Sequence, residues 1–479
     1  MTLSGPVFIV GVLMAVAGIL QVLRRWTGLM AWASVAVTGA VGALIALVPL
    51  DQTFTLGPLS VAPGEPFVLL GRVVVIDAVD RLPLMFICFT ALGLFIVAWR
   101  LLPHSNFYPA GLAIVALLAG ALMVQQVVYA ALLVEMAVIL GIFPLHEPVI
   151  GPDGSRYGGQ ARGGLQYMTY ATLALPGLMI TQLLLEQFAI FPSDLGLLQS
   201  ATILLGLSFA MLLGAVPFQS WLSTVATDGS PPVVTFLFTV TLGTVWFLLL
   251  AYLEAYSWLS DQAAFSSLFT VVGLLMMVVG GVLAASQRKL GRIVGYATLV
   301  DNGAMFVALG THQTAGLALT AVMLAARPFS LALMTLGLDG MRRLGQGDDH
   351  VDRLVGAAWT APWRTLAFMV GGVAMAGFPL SLGFSARWGL YRLLTQTNLF
   401  QAILALGGSA GVMMGLVSTM RVLLAANRGQ VPAKQSTEDP IVLVLIIALI
   451  GATLVLGVFP QLVSQLALQM AQEFTFFAQ

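Results

Sequence analysis

The sequence is short of charge, of cysteine, and of any excess of one sign. Charged residues make up 8% of its 479 positions, against about 25% in an average soluble chain. Lys+Arg and Asp+Glu number 20 each, so the net charge is zero. A neutral chain of this kind has no electrostatic footprint for nucleic acid or an acidic partner. The one cysteine, Cys88, lies in an apolar run, which excludes an internal disulfide and a cysteine-built metal site. The four histidines, at 104, 146, 312 and 350, fall in or beside the gaps between apolar runs. Haem or metal ligation within a bilayer is therefore not expected. The sequence also lacks a nucleotide-binding glycine loop and a nucleophile triad. Its start lacks a basic leader and a small-residue cleavage site, so residues 6–23 read as a retained span.

What fills the chain instead is apolar residue, 59% of all positions. Runs of about 18–25 such residues, each able to cross ~30 Å of hydrocarbon, predict an all-α polytopic membrane protein. Spans are expected near 6–23, 29–50, 82–99, 107–126, 128–146, 163–185, 200–222, 231–253, 263–285, 293–310, 315–338, 364–396, 400–421 and 439–470, fourteen in all. The alternation of a β-barrel is absent. The expected divisions are an N-terminal three-helix segment with its loop (1–105), a first five-helix repeat (106–258), a second (259–425) and a C-terminal helix (426–479).

Basic residues in short loops set orientation. One set of loops holds Arg24, Arg25, Arg100, Arg156, Arg162, Arg288, Lys289, Arg292, Arg342, Arg343, Arg353, Arg364, Arg421, Arg428 and Lys434. The other set holds only Arg72 and Arg81. The first set is expected in the cytoplasm, with both termini and the 51–81 loop outside. Segment 339–361, "DGMRRLGQGDDHVDRLVGAAWTA", reads as a solvated cytoplasmic loop.

Four charges remain within the spans: Glu135, Asp301, Arg327 and Arg387. Arg392, near the outer end of the twelfth span, can snorkel outwards. Glu135 stands alone in "ALLVEMAVILGIF" (131–143), and an acid at a helix centre costs ~2.5–3.5 kcal/mol on insertion scales. Each such charge is either half of a buried ion pair that locks two helices or part of an ion path. Two spans also carry internal breaks. Pro217 lies in "GAVPFQSWL", and Pro379 and Gly383 lie in "AGFPLSLGFSARWGL". A proline inside a helix frees carbonyls, and these must be re-satisfied by protein or a wet cavity. The breaks fall five spans apart, which points to two inverted five-helix repeats, each with a discontinuous helix.

With these residues placed, the chain resembles the antiporter-like membrane subunits of respiratory complex I, of multisubunit cation/proton antiporters and of membrane-bound hydrogenases, from about Asp80 to Arg421. Its length is most like that of the smallest complex I antiporter-like subunit. The resemblance is carried by "LVEMAVI", "GGLQYMTYATLALPGL", "VPFQSWL", "QRKLGRIVGYATLVDNG" and "GFPLSLGFSARW", in order. It implies that Glu135 occupies the family's key fifth-span carboxylate. It also implies that Gln219 stands at a usual histidine, that Asp301 replaces the tenth-span histidine, and that Arg327 and Arg387 replace the eleventh- and twelfth-span lysines. The seventh- and eighth-span lysines fall at Leu212 and, at or near, Leu242.

In the family the glutamate pairs with the seventh-span lysine to start proton movement along the midplane. Without that cation, burial favours a neutral Glu135, and the first half-path has lost its proton wire. Arginine does not give up its proton as lysine can, so Arg327 and Arg387 are poor carriers. Arg387 is then either the structural partner of Asp301 or a fixed positive barrier to cation leak. The resemblance implies a subunit of a proton-translocating, NADH:quinone oxidoreductase-like or hydrogenase-linked complex, without cofactor, metal or redox centre of its own. It implies other antiporter-like subunits and lipids as direct partners, soluble redox subunits as indirect ones, and a bacterial or archaeal cytoplasmic membrane. Such a module either still conducts through water and the remaining charges or is degenerate. The alternative is a stand-alone secondary transporter of a small solute or cation, with Gln219 and Trp221 at the broken helix as its only support.

Overall fold

The fold comes from a computed structural model that describes residues 2–56, 59–69, 72–102, 105–150, 156–191, 194–256, 263–425 and 438–474. Arg428, Lys434 and His104 lie outside the described residues, as does the Arg156 side chain. Twelve helices among them are long and apolar enough to cross a membrane. They are α1 (Gly5–Val22), α2 (Gly28–Leu47), α3 (Ala78–Leu101), α5 (Val128–Leu145), α6 (Ala161–Ile190), α7 (Leu195–Leu212), α9 (Pro231–Ala255), α10 (Ser266–Ser286), α11 (Leu290–Gly310), α12 (Thr314–Leu344), α15 (Leu399–Leu424) and α16 (Pro440–Val458). The 17-residue α4 (Phe107–Met123) occupies the expected fourth span. The pair α13 (Pro362–Met375) and α14 (Leu382–Thr397) fills the twelfth. Each expected span therefore has its helix.

Two boundaries are corrected. The expected seventh span straddles a break, with α7 ending at Leu212 and the short α8 covering Ser220–Asp228. The expected last span is two helices, α16 and α17 (Gln461–Glu473). The division falls at Phe459–Pro460, because proline cannot donate the backbone hydrogen bond that would carry the helix through.

The chain divides into two compact units. The first comprises Met1–Pro144, Tyr167–Leu213 and Phe236–Leu259. Small strands cap one end of it. β1 (Thr2–Ser4) runs parallel to β3 (Leu59–Ala62), which also pairs antiparallel with β2 (Phe54–Leu56). β4 (Phe67–Leu69) and β5 (Arg72–Val74) form a hairpin that touches Val124. The first strand therefore lies on the same face as the 51–76 segment. Arg81 fastens this end by donating to the α2 carbonyls of Ile45 and Ala46 at 2.8 and 2.7 Å, where a cation complements the helix dipole. Phe95, Phe107, Tyr108 and Phe236 form the aromatic centre of the unit.

The second unit comprises Leu145–Gln166, Gly214–Thr235 and Ser260–Gln479. α11 is its axis and is 94% buried over its apolar window. It packs on α8, α10, α12 and α15. Close approach depends on missing side chains. A Cβ on Gly295 would lie 2.6 Å from Ser223 Cα, and one on Gly411 would lie 2.7 Å from Gly281 Cα.

Candidate functional site

The second unit buries a three-residue ionic cluster. Asp301 on α11 sits between Arg327 on α12 and Arg387 on α14. Arg327 donates from Nε to Asp301 Oδ2 at 2.8 Å, and its Nη2 lies 2.7 Å from the same oxygen. Arg387 Nη2 donates to Oδ1 at 3.0 Å. The arginine side chains are 1% exposed and the aspartate 7%. Arg327 Nη2 also reaches Asn302 Oδ1 at 2.7 Å, while its Nη1 has no partner among the described residues. Arg387 Nη1 lies 3.4 Å from Ser409 Oγ, which in turn bonds Tyr391 at 2.7 Å. One carboxylate thus joins three helices. Both of its oxygens are engaged, and neither arginine can release a proton. The arrangement holds helices together and leaves a formal charge of one positive unit in the interior, two cations against one anion.

The α13–α14 break positions Arg387. Gly377 has φ +75° and Leu380 φ +67°, a region costly for residues with a Cβ. A Cβ on Gly377 would lie 2.9 Å from Arg387 Cβ, so glycine there both turns the chain and lets the arginine stem pass. Gly383, singled out in the sequence, lies in the first turn of α14; a Cβ there would meet the Ala374 carbonyl at 2.8 Å. The first break is built alike. Gly214 has φ +66° and the Val216–Pro217 peptide is cis. Gln219 Oε1 is buried without a partner among the described residues, and Trp221 is buried. The positive-φ glycines, 214 and 377, escaped the sequence reading. Their signal was a glycine two or three residues before each break proline.

The first unit holds Glu135 in different surroundings. Thr172 on α6 donates to Glu135 Oε1 at 2.5 Å. A cavity of about 20 Å³ beside the acid is lined by Val134, Phe209, Leu212, Leu248 and Tyr252. It has room for one water, which needs ~10–15 Å³, but its walls are almost wholly apolar. Leu212 therefore faces the glutamate. Among the described residues no cation pairs with Glu135. Leu242 is 2% exposed and follows a π-helical turn, Leu237–Thr241, so its side chain is packed in the interior too.

The 339–361 segment is only partly a solvated loop. α12 continues to Leu344, and several charges in its last turns and beyond close back on the fold, while Asp352 and Arg353 are exposed. Arg342, 2% exposed, donates to the carbonyls of Ala226, Thr227 and Gly229 at 2.9, 2.8 and 2.6 Å, capping α8. It also pairs with Asp349 at 3.0 Å, whose Oδ2 accepts from Gly291 N at the start of α11. Asp339, 1% exposed, accepts from Arg343 at 2.8 Å and lies 3.5 Å from Arg364. The run holds four aspartates against three arginines, close enough to balance for its charges to pair with one another and become partly buried. That balance was the available signal. Among the described residues, no group of three or more His, Cys, Asp or Glu is arranged to hold a metal ion. Arg392 is exposed.

Two interrupted helices, one of them at a buried ionic cluster, in an all-α bundle of this many spans define the class: a polytopic membrane protein with discontinuous helices. The chain belongs to the family described as NADH:quinone oxidoreductase/Mrp antiporter, TM, whose model matches residues 167–414. A curated relative, the NADH-quinone oxidoreductase subunit N of Psychrobacter arcticus, is 27% identical over 239 residues, 49% of this chain. The chain spans about half, 47%, of that relative's length. Among solved structures, a chain of the Mrp complex from Dietzia sp. DQ12-45-1b superposes with a TM-score of 0.80 at 17% identity, covering 98% of this chain and 97% of that one. A chain of respiratory complex I from Thermus thermophilus gives 0.73 at 17% identity, covering 99% and 100%. These two likenesses establish the fold.

Proposed function

We propose that this chain is an antiporter-like membrane subunit of a large ion-translocating redox complex, in which the first half of the usual proton path is degenerate. The observation that supports this most strongly is the contrast between Glu135, which faces Leu212 in place of a cation, and Asp301, held by two arginines. A proton relay needs groups that exchange protons near neutral pH, and neither site offers a cation able to do so. The module then contributes assembly, sealing, or a path through water alone. Other antiporter-like subunits are its direct partners and soluble redox subunits its indirect ones. It carries no redox centre or cofactor of its own.

The orientation in this reading puts both termini outside a bacterial or archaeal cytoplasmic membrane, with 339–361 in the cytoplasm. The two broken helices belong to two inverted five-helix repeats. Purification tests the first part. A tagged chain extracted in mild detergent should bring down several membrane subunits together with soluble redox proteins. Recovery as a lone chain or a homo-oligomer would favour a stand-alone transporter. Cysteine labelling tests the second. Cys88 is wholly buried and should stay silent. Arg353→Cys, on an exposed residue, should resist a membrane-impermeant reagent in intact cells and react after lysis. Strong labelling of intact cells would invert the topology.

A further inference from the structure

A second feature of the second unit lies at the ends of α12 and α14 remote from the basic 339–364 segment. There α12, α14 and α17 enclose an open groove of about 470 Å³, within the ~300–1,000 Å³ typical of ligand sites. Its deep end is apolar, formed by Leu319, Val322 and Gly389. Its mouth carries Arg392 and Gln396, one helical turn apart on α14. The Arg392 side chain is exposed and has no ion pair or hydrogen bond among the described residues. Arg392 stands five residues before the end of α14 at Thr397. At 1.5 Å per residue that is about 7–8 Å along the axis, a depth from which an arginine reaches the headgroup layer.

We propose that this groove binds a glycerophospholipid, with the lipid phosphate on the Arg392 guanidinium and an acyl chain along Leu319 and Val322. Charge complementarity commits the occupant. A guanidinium matches phosphate oxygens with paired donors, and apart from Gln396 and Ser464 the rest of the groove is lined by apolar residues. A soluble anion would leave that apolar wall uncovered.

Mass spectrometry of the intact complex, washed in mild detergent and re-exposed to phosphatidylglycerol, tests the site. The unaltered protein should retain one more phospholipid per chain than Arg392→Gln. Arg392→Lys should retain most of it, because a cation remains. Ala315→Trp, which fills the groove from an exposed position, should lose the lipid with Arg392 intact. Millimolar inorganic phosphate should not displace it. Equal retention by all four proteins would overturn the proposal, as would displacement by inorganic phosphate. Zero-length carbodiimide coupling of Arg392→Lys to a carboxylate of another subunit would also overturn it, by placing a protein at the groove.

Discussion

Glu135 and Asp301 are both acids inside membrane-spanning helices, and their surroundings are opposites. Glu135 has one hydroxyl, from Thr172, and an apolar wall that includes Leu212. Asp301 has two guanidiniums, one on each oxygen. An acid without a cation is tolerated in hydrocarbon chiefly as a neutral group. An acid between two arginines is tolerated as an ion, at the cost of desolvating all three. The comparison teaches that a carboxylate within a membrane span is not itself a proton site. What it can do depends on whether a neighbour can trade a proton with it, and here the first neighbour is absent and the second pair is permanently charged.

The comparison is broken most severely at Asp301. Asp301→Asn keeps the shape and leaves two guanidiniums buried without a counter-charge. Removing one partner of a buried pair costs roughly 3–5 kcal/mol, so this variant should fail to accumulate or unfold well below the unaltered protein in a detergent melt. Arg387→Met removes one partner while Arg327 still holds Asp301. It should lose less, roughly 3 kcal/mol, and Arg387→Lys should recover part of that loss. If Arg387→Met instead assembles normally and makes proteoliposomes leak protons, Arg387 is a barrier and not a clamp.

Gly377→Ala comes next. A Cβ at φ +75° costs about 1–2 kcal/mol, and it also meets the Arg387 stem. Its melt should shift in the same direction as Arg387→Met by a smaller amount, and in an Arg387→Ala background, which removes the stem beyond Cβ, the added loss should shrink. Equal losses in both backgrounds would uncouple the break from the cluster. Leu212→Lys is the sharpening variant. It returns a cation to the wall facing Glu135, and in the Glu135→Gln background it should be more destabilising than in the presence of the acid. No difference between the two backgrounds would mean that position 212 does not face position 135.

Much of this was legible in the sequence, because a bilayer leaves few options. Apolar runs placed every span, and Asp301, Arg327 and Arg387 stood out simply by being charged where charge is costly. Three things were not legible. That two arginines share one aspartate depends on how α11, α12 and α14 pack, and spacing along the chain carries no trace of that. Thr172, the hydroxyl on Glu135, looks like any threonine in a polar-flecked helix. The 339–361 charges have the composition of a loop, and the closure of Arg342 onto the end of α8 makes part of them interior, while Asp352 and Arg353 stay exposed. The break at Phe459–Pro460 was hidden for a simpler reason: apolar residues continue on both sides of it.

The central claim is that Glu135 does not pass protons on, and the most direct measurement is proton translocation per electron by the proposed complex, reconstituted in vesicles, with Glu135→Gln. Glutamine keeps the shape and the contact with Thr172 while removing only the ability to ionise. The account predicts normal assembly and an unchanged proton-to-electron ratio. Normal assembly with a large loss of pumping would contradict it, and would mean that Glu135 exchanges protons with a cation supplied from outside this chain.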